Sequence, residues 1–222
     1  MSHDSTTSTC EENTTARTIA RRTAYTLAAG AAVGAAGQAD AEVQYSGVQD
    51  LSIAQYGAQD LNLDGDAFND ILLKNYVFGG NYQGATVNGY PGKLVISNGS
   101  FPYYVSALEK GDLIDGTVVG PTFYGALGYA ANPGSEFDSS TDAFIGLSFP
   151  IGGNAPEFIH YGWIRVDIDN SAGTFVIRDW AYNPVPNRGI LAGDKVPEPG
   201  TLGLLAAGAA GVASMRRRRK AV

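Results

Sequence analysis

Cysteine is nearly missing from this 222-residue sequence, and its one copy, Cys10, lies in the N-terminal leader. Downstream of it, disulfide scaffolds, cysteine zinc sites and cysteine nucleophiles are all excluded. Histidine is almost as scarce: past the leader only His160 remains, so no paired-histidine metal site can form. Basic side chains are thin in the middle of the chain. Between residues 42 and 196, seven Lys and Arg stand against seventeen Asp and Glu, a formal net charge of −10. A nucleic acid partner is excluded on that ground, because phosphates need basic neutralisation that this segment does not have. Long amphipathic helical periods are missing too, and so are a Walker loop, a dinucleotide-binding glycine pattern and a G-x-S-x-G elbow. What the sequence does have is 29 Gly, 12 Tyr and 44% hydrophobic residues. That content is too apolar for disorder and points to an all-β domain.

The two ends read as addresses. Arg21-Arg22 precedes a small apolar run from Ala24 to Val33 and then Ala39-Asp40-Ala41, the n-region, h-region and A-x-A order of an export signal. Residues 1–41 are therefore expected to be a signal peptide cut after Ala41, with Ala39 and Ala41 as the small cleavage residues. The h-region is too short for a permanent membrane span. The arginine pair permits a twin-arginine route, whereas Thr23-Ala24-Tyr25 fits general secretion better; both routes stay open. At the other end, Pro197-Glu198-Pro199 is followed by an apolar segment from Leu202 to Met215 and then Arg216, Arg217, Arg218, Arg219 and Lys220. At 1.5 Å per residue, Thr201 to Met215 spans about 22 Å as a helix, a short membrane segment whose arginines can snorkel. The basic cluster retains that end in the cytoplasm, which leaves the body outside.

This C-terminal order resembles the PEP-CTERM sorting signal of exported bacterial proteins: the Pro-Glu-Pro motif, the Gly/Ala/Leu helix and the basic tail. The resemblance implies a precursor transiently inserted in the inner membrane. Its partners would be the secretion machinery and an exosortase-type membrane protease that cuts near Pro197-Glu198-Pro199. Release or re-attachment at the cell surface or in the exopolysaccharide matrix would follow. An ordinary membrane anchor is the alternative. The body is similar to uncharacterised exported proteins of the same kind, through Phe144-Ile145-Gly146-Leu147, Tyr161-Gly162-Trp163-Ile164-Arg165-Val166 and Ala181-Tyr182. That similarity implies a secreted β-domain and no particular activity.

Residues 42–196 read as strands separated by glycine and proline clusters. Trp163 to Asp169 alternates, placing Ile164, Val166 and Ile168 on one face and Arg165, Asp167 and Asp169 on the other. Asn170-Ser171-Ala172-Gly173 is a turn, and Thr174 to Tyr182 completes a hairpin. Further strands are predicted at Leu51 to Gln55, Ile71 to Phe78, Lys93 to Ser97, Tyr103 to Leu108, Gly116 to Val119 and Ala143 to Phe149, with a single helical turn as the other reading of Ser106 to Lys110. Many short strands with turns between them predict an antiparallel β-sandwich, jelly-roll-like in its connections.

One segment has metal-ligand spacing. From Asp60, oxygen-bearing side chains at offsets 1, 3 and 5 and a glycine at 6 reproduce half of a calcium loop, with Asp60, Asn62, Asp64, Asp66 and Asp70 as ligands. The second half departs, since Ile71 and Phe68 occupy the positions where a closing acid belongs. The competing reading is a solvated strand connection. His160, just before Tyr161-Gly162-Trp163, reads as structural. Tyr76, Tyr82, Tyr90, Tyr103, Tyr104, Phe123, Tyr124 and Tyr129 lie near strand ends and glycine-rich loops, where rings either pack or stack on sugars. The leading expectation is a non-catalytic surface or matrix protein with a structural Ca2+ loop. A lectin-like module that binds extracellular polysaccharide is the alternative, and a glycan-active enzyme ranks third.

Overall fold

The structure, a computed structural model, describes residues 43–195. The expected signal peptide and the expected C-terminal membrane helix lie outside the described residues, and no helix long and apolar enough to cross a membrane occurs among those described. The body is all-β. Its strands are β1 (Gln44–Tyr45), β2 (Leu51–Ser52), β3 (Gly57–Leu61), β4 (Ile71–Val77), β5 (Asn81–Val87), β6 (Lys93–Leu94), β7 (Ala107–Leu108), β8 (Leu113–Ile114), β9 (Tyr124–Tyr129), β10 (Ser139–Pro150), β11 (Ile159–Asp169), β12 (Thr174–Tyr182) and β13 (Ile190–Leu191). A single 3-10 turn, Pro156–Phe158, leads into β11.

All the strand pairings are antiparallel. One sheet runs β1-β12-β11-β10-β6, with β2 also on β12 and β7 also on β10; the other runs β3-β4-β5-β9; β8 and β13 form a small pair. The alternation read from the sequence explains the layering. Ile164, Val166, Ile168, Phe175 and Ile177 from β11 and β12 share one core with Ile71, Leu73, Ala85, Val87 and Leu127 from the four-stranded sheet. The larger sheet also buries part of its other face, where Trp163, Tyr161, Phe144 and Ala181 pack with Ile114 and Ile190 from the β8/β13 pair. Two buried faces account for β11 being apolar almost continuously from His160 to Ile164.

Several boundaries move from those predicted. Tyr103 to Leu108 pairs only through isolated bridges at Tyr104 and Val105 before β7, and Gly116 to Val119 is not a strand; β8 lies just before it. Ser106 to Lys110 holds β7 and a turn, not a helical turn. Strands β3, β5 and β9 were not expected. Two runs of consecutive hairpins, β3-β4-β5 and β10-β11-β12, form the middle of the sheets, and pairings between strands far apart in sequence, β9 with β5, β6 and β7 with β10, and β1 and β2 with β12, complete them.

A buried amide chain ties the sheets together. Gln83 Nε2 donates to Asn75 Oδ1 at 2.9 Å, Asn170 Nδ2 to Gln83 Oε1 at 2.6 Å, and Asn75 Nδ2 to the carbonyls of Ile53 and Gly173 at 2.8 and 2.9 Å. Asn75 and Gln83 are fully buried. Their burial is tolerable because each partner satisfies the next.

Candidate functional site

The aspartate-rich segment is a strand end followed by a loop closed on itself. Asp60 lies on β3 opposite Leu72, and its carboxylate accepts Asn88 Nδ2 at 3.3 Å. Asn62 Oδ1 accepts the Gly65 N–H, Asp64 Oδ1 the Asp66 N–H and Asp66 Oδ1 the Phe68 N–H, at 2.6, 3.0 and 2.6 Å. These side-chain to backbone bonds are what short Asx residues make in turns. Asp70 is the buried member. Its Oδ2 accepts the Leu63 N–H at 2.6 Å, and its backbone carbonyl accepts the Asn88 N–H at 2.7 Å. Burial pushes its carboxyl up to about 6, the Leu63 N–H opposes this, and the charges of Asp64 and Asp66 add to the rise. Among the described residues, no three acids or histidines are gathered as a metal-holding group.

Two aromatic groups contain rings from the strand ends and glycine-rich loops. Phe78, Tyr82 and Tyr129 cluster with centroids 4.8 to 5.5 Å apart, Tyr82 and Tyr129 being cross-strand partners. Phe123, Tyr124, Tyr103 and Phe101 form a row with successive centroids 5.3, 5.8 and 6.4 Å apart, each pair nearly edge-on. At the Phe123 end, Tyr90 projects from the turn after β5 and completes a cleft of about 240 Å³ floored by Val87, Asn88, Gly89 and Gly92. Tyr104 is instead buried and donates its hydroxyl to the Asn132 carbonyl. Trp163 is core, while Trp180 is partly buried against the separate core between the two sheets.

A groove of about 660 Å³ runs between β7 and the β10 bulge past Glu109, Lys110, Glu136, Asp142 and Arg165. Glu136, Asp142 and Arg165 among these are already engaged. Glu136 accepts the Ser106 hydroxyl and the Ala107 N–H, and Asp142 pairs with Arg165 at 2.8 Å. His160 lies apart, buried against Phe149 and Tyr182, with its Nδ1–H donated to the Asn183 carbonyl at 2.9 Å. That hydrogen bond fixes the tautomer and the ring orientation.

Sequence reasoning missed the ion-pair cluster that joins both ends of the body. Asp179, with no exposed surface, accepts two bonds from Arg165 at 2.8 and 2.7 Å, one from the Tyr45 hydroxyl at 2.7 Å and one from Lys195 Nζ at 3.2 Å. Burial alone would raise the Asp179 carboxyl, but the bonds from Arg165, Tyr45 and Lys195 hold it below the ordinary aspartate range. Lys195 also sits over the Tyr45 ring, 4.7 Å from its centroid, and Trp163 Nε1 donates to the Asp194 carbonyl at 3.1 Å. The body is thus held up to Lys195, two residues before Pro197.

Residues 195–219 match the protein-sorting family of that C-terminal pattern. The chain carries a PEP-CTERM motif. The PEP-CTERM motif implies an exported, membrane-passing precursor that an exosortase processes. Pro197, Glu198, Pro199 and the basic residues Arg216 to Arg219 lie inside the matched span and outside the described residues, while Ala39, Ala41 and Lys220 lie outside both. The PEP-CTERM match is confined to the C-terminus and so identifies the address without the activity of the body. No curated protein and no solved structure matches the chain.

Proposed function

We propose that this PEP-CTERM protein is a non-catalytic component of the cell surface or its matrix, delivered as a folded β-body and released or re-attached after exosortase cleavage near Pro197-Glu198-Pro199. The carrying observation is the sorting motif itself, which begins at Lys195, where the clasp on Asp179 ends the described body. Cleavage beyond Pro197 would leave that clasp, and hence the fold, intact. Removal of residues 1–41 as a signal peptide belongs to the same proposal. The non-catalytic reading is supported by the engaged state of His160 and of Glu136, Asp142 and Arg165 in the groove beside β7. Calcium enters as a structural partner of the Asp60 to Asp70 loop, where a divalent cation would offset the mutual repulsion of Asp64, Asp66 and Asp70.

Intact mass and terminal peptide mapping of the protein from its own surface and medium fractions test the proposal. A start at Glu42 and an end near Pro199, with any added mass reporting attachment, are expected. Full-length chain recovered from the cytoplasm would overturn it. A second reading, a lectin-like module, is favoured by the exposed aromatic row.

A further inference from the structure

The row Phe101-Tyr103-Tyr124-Phe123 and the Tyr90 cleft at its end make an unusual surface. Tyr90 and Phe101 are 80% and 78% exposed, and Phe123 is 51% exposed. A body that buries Trp163 and Phe175 completely has no packing need to leave these rings in water. The local chain holds them in place. The Val87 N–H donates to the Phe123 carbonyl at 2.7 Å and the Leu94 N–H to the Thr122 carbonyl at 3.0 Å, fixing the segment before β9 beside the turn that bears Tyr90. Gly92 closes that turn through its N–H to the Gly89 carbonyl at 2.7 Å, and a Cβ there would stand 2.5 Å from Val87 Cγ1. Glycine at 92 therefore leaves room for the Val87 side chain beneath the turn that bears Tyr90.

We infer that this cleft and row bind a neutral polysaccharide chain, one sugar ring held between Tyr90 and Phe123 and its neighbours in contact with the faces or edges of Tyr124, Tyr103 and Phe101. The inference deepens the lectin-like reading and rests on it. Two apolar walls around a polar edge suit a pyranose, which has apolar C–H faces and a hydroxylated rim. Asn88 supplies the polar edge. A cleft of about 240 Å³ admits one ring, and the row of three further aromatics extends the contact to a chain. Charge selects among polymers. The six residues are uncharged, but Asn88 is bonded to the Asp60 carboxylate and to the backbone of Asp70, so acids border the cleft. An acidic body with an acidic cleft edge repels polyanions, and it repels a second copy docked on the same face.

The test is affinity electrophoresis of the full chain, in mild detergent, through gels containing xyloglucan, galactomannan, dextran or, as the anionic comparison, alginate. Retardation by at least one neutral polymer and not by alginate is expected. The double variant Tyr90→Ala/Phe123→Ala should weaken that retardation at least about tenfold, as for anchors of a binding site, with unchanged melting temperature. Tyr56→Ala, an exposed tyrosine on another loop, should leave it unchanged. Absence of retardation by all three neutral polymers, equal retardation by alginate, or a double variant that binds normally would overturn the inference. So would a concentration-dependent dimer that the double variant abolishes, since the rings would then serve a second copy. Processing at Glu42 and near Pro199, scored by mass, is independent of all these outcomes and isolates failure of this inference from failure of the sorting reading.

Discussion

Asp70 shows most directly how placement changes one side chain. The sequence presents it as the last of five spaced oxygen ligands, whereas the fold buries it behind the loop with its carboxyl raised to about 6 by burial and by the charges of Asp64 and Asp66. The sign of the pH effect follows. The folded protein holds a proton on Asp70 that the unfolded chain has released, so the associated stability is present below the ordinary aspartate value near 4 and is lost as pH rises through 6. In chelator, Asp70→Asn should therefore remove a decline in stability between pH 4 and 7 of the order of 2–3 kcal/mol, read from urea midpoints. Calcium at millimolar concentration should abolish that decline in the parent protein and raise its melting temperature, with no such shift in Asp64→Ala. A melting shift below about 1 °C would remove calcium from the account of this loop.

At the scale of elements, the β11–β12 hairpin was legible, because seven alternating residues, a four-residue turn and a second apolar run leave one natural pairing. Its register was not. Pairing from the turn runs Asp169 with Thr174 to Val166 with Ile177, and a bulge then sets Arg165 opposite Asp179 instead of Arg178. A bulge leaves no mark in hydrophobic periodicity, which is why the buried ion pair escaped the sequence. Strands β5 and β9 escaped for another reason. Asn81 to Val87 and Tyr124 to Tyr129 contain glycines that read as turns, whereas Gly125 is demanded by close packing, a Cβ there standing 2.9 Å from Val105 Cγ2. These strands carry Gln83, centre of the buried amide chain. Gln83→Leu should lower stability by about 1–3 kcal/mol, because it leaves Asn75 Oδ1 and one bond of Asn170 without a partner inside the core. Denaturant midpoints at unchanged slope would measure it; a neutral result would mean the amides re-pair.

For the molecule as a whole, the cluster on Asp179 matters most, since it connects Tyr45 near the start of the body and Lys195 at its end to the middle of the largest sheet. The contributions are unequal. Asp179→Ala leaves Arg165 with Asp142 as its remaining partner and the Tyr45 hydroxyl beside a vacated buried position, and should cost about 3–5 kcal/mol, whereas Lys195→Ala removes one partly exposed partner and should cost less than about 1 kcal/mol. Comparable losses from the two substitutions, in equilibrium unfolding, would contradict this ranking. The sequence by itself determined the address, because Pro-Glu-Pro, an apolar run and a basic tail act as a linear signal that needs no fold to be read. It also determined the all-β class and the two faces of the Trp163 to Asp169 strand, since those follow from composition and a two-residue period. Only the tertiary structure decided which rings face solvent and which are buried, that the Asp-rich segment closes on its own backbone, and that Arg165 meets Asp179. Each depends on register and on contacts between residues far apart in the chain, which local spacing does not encode.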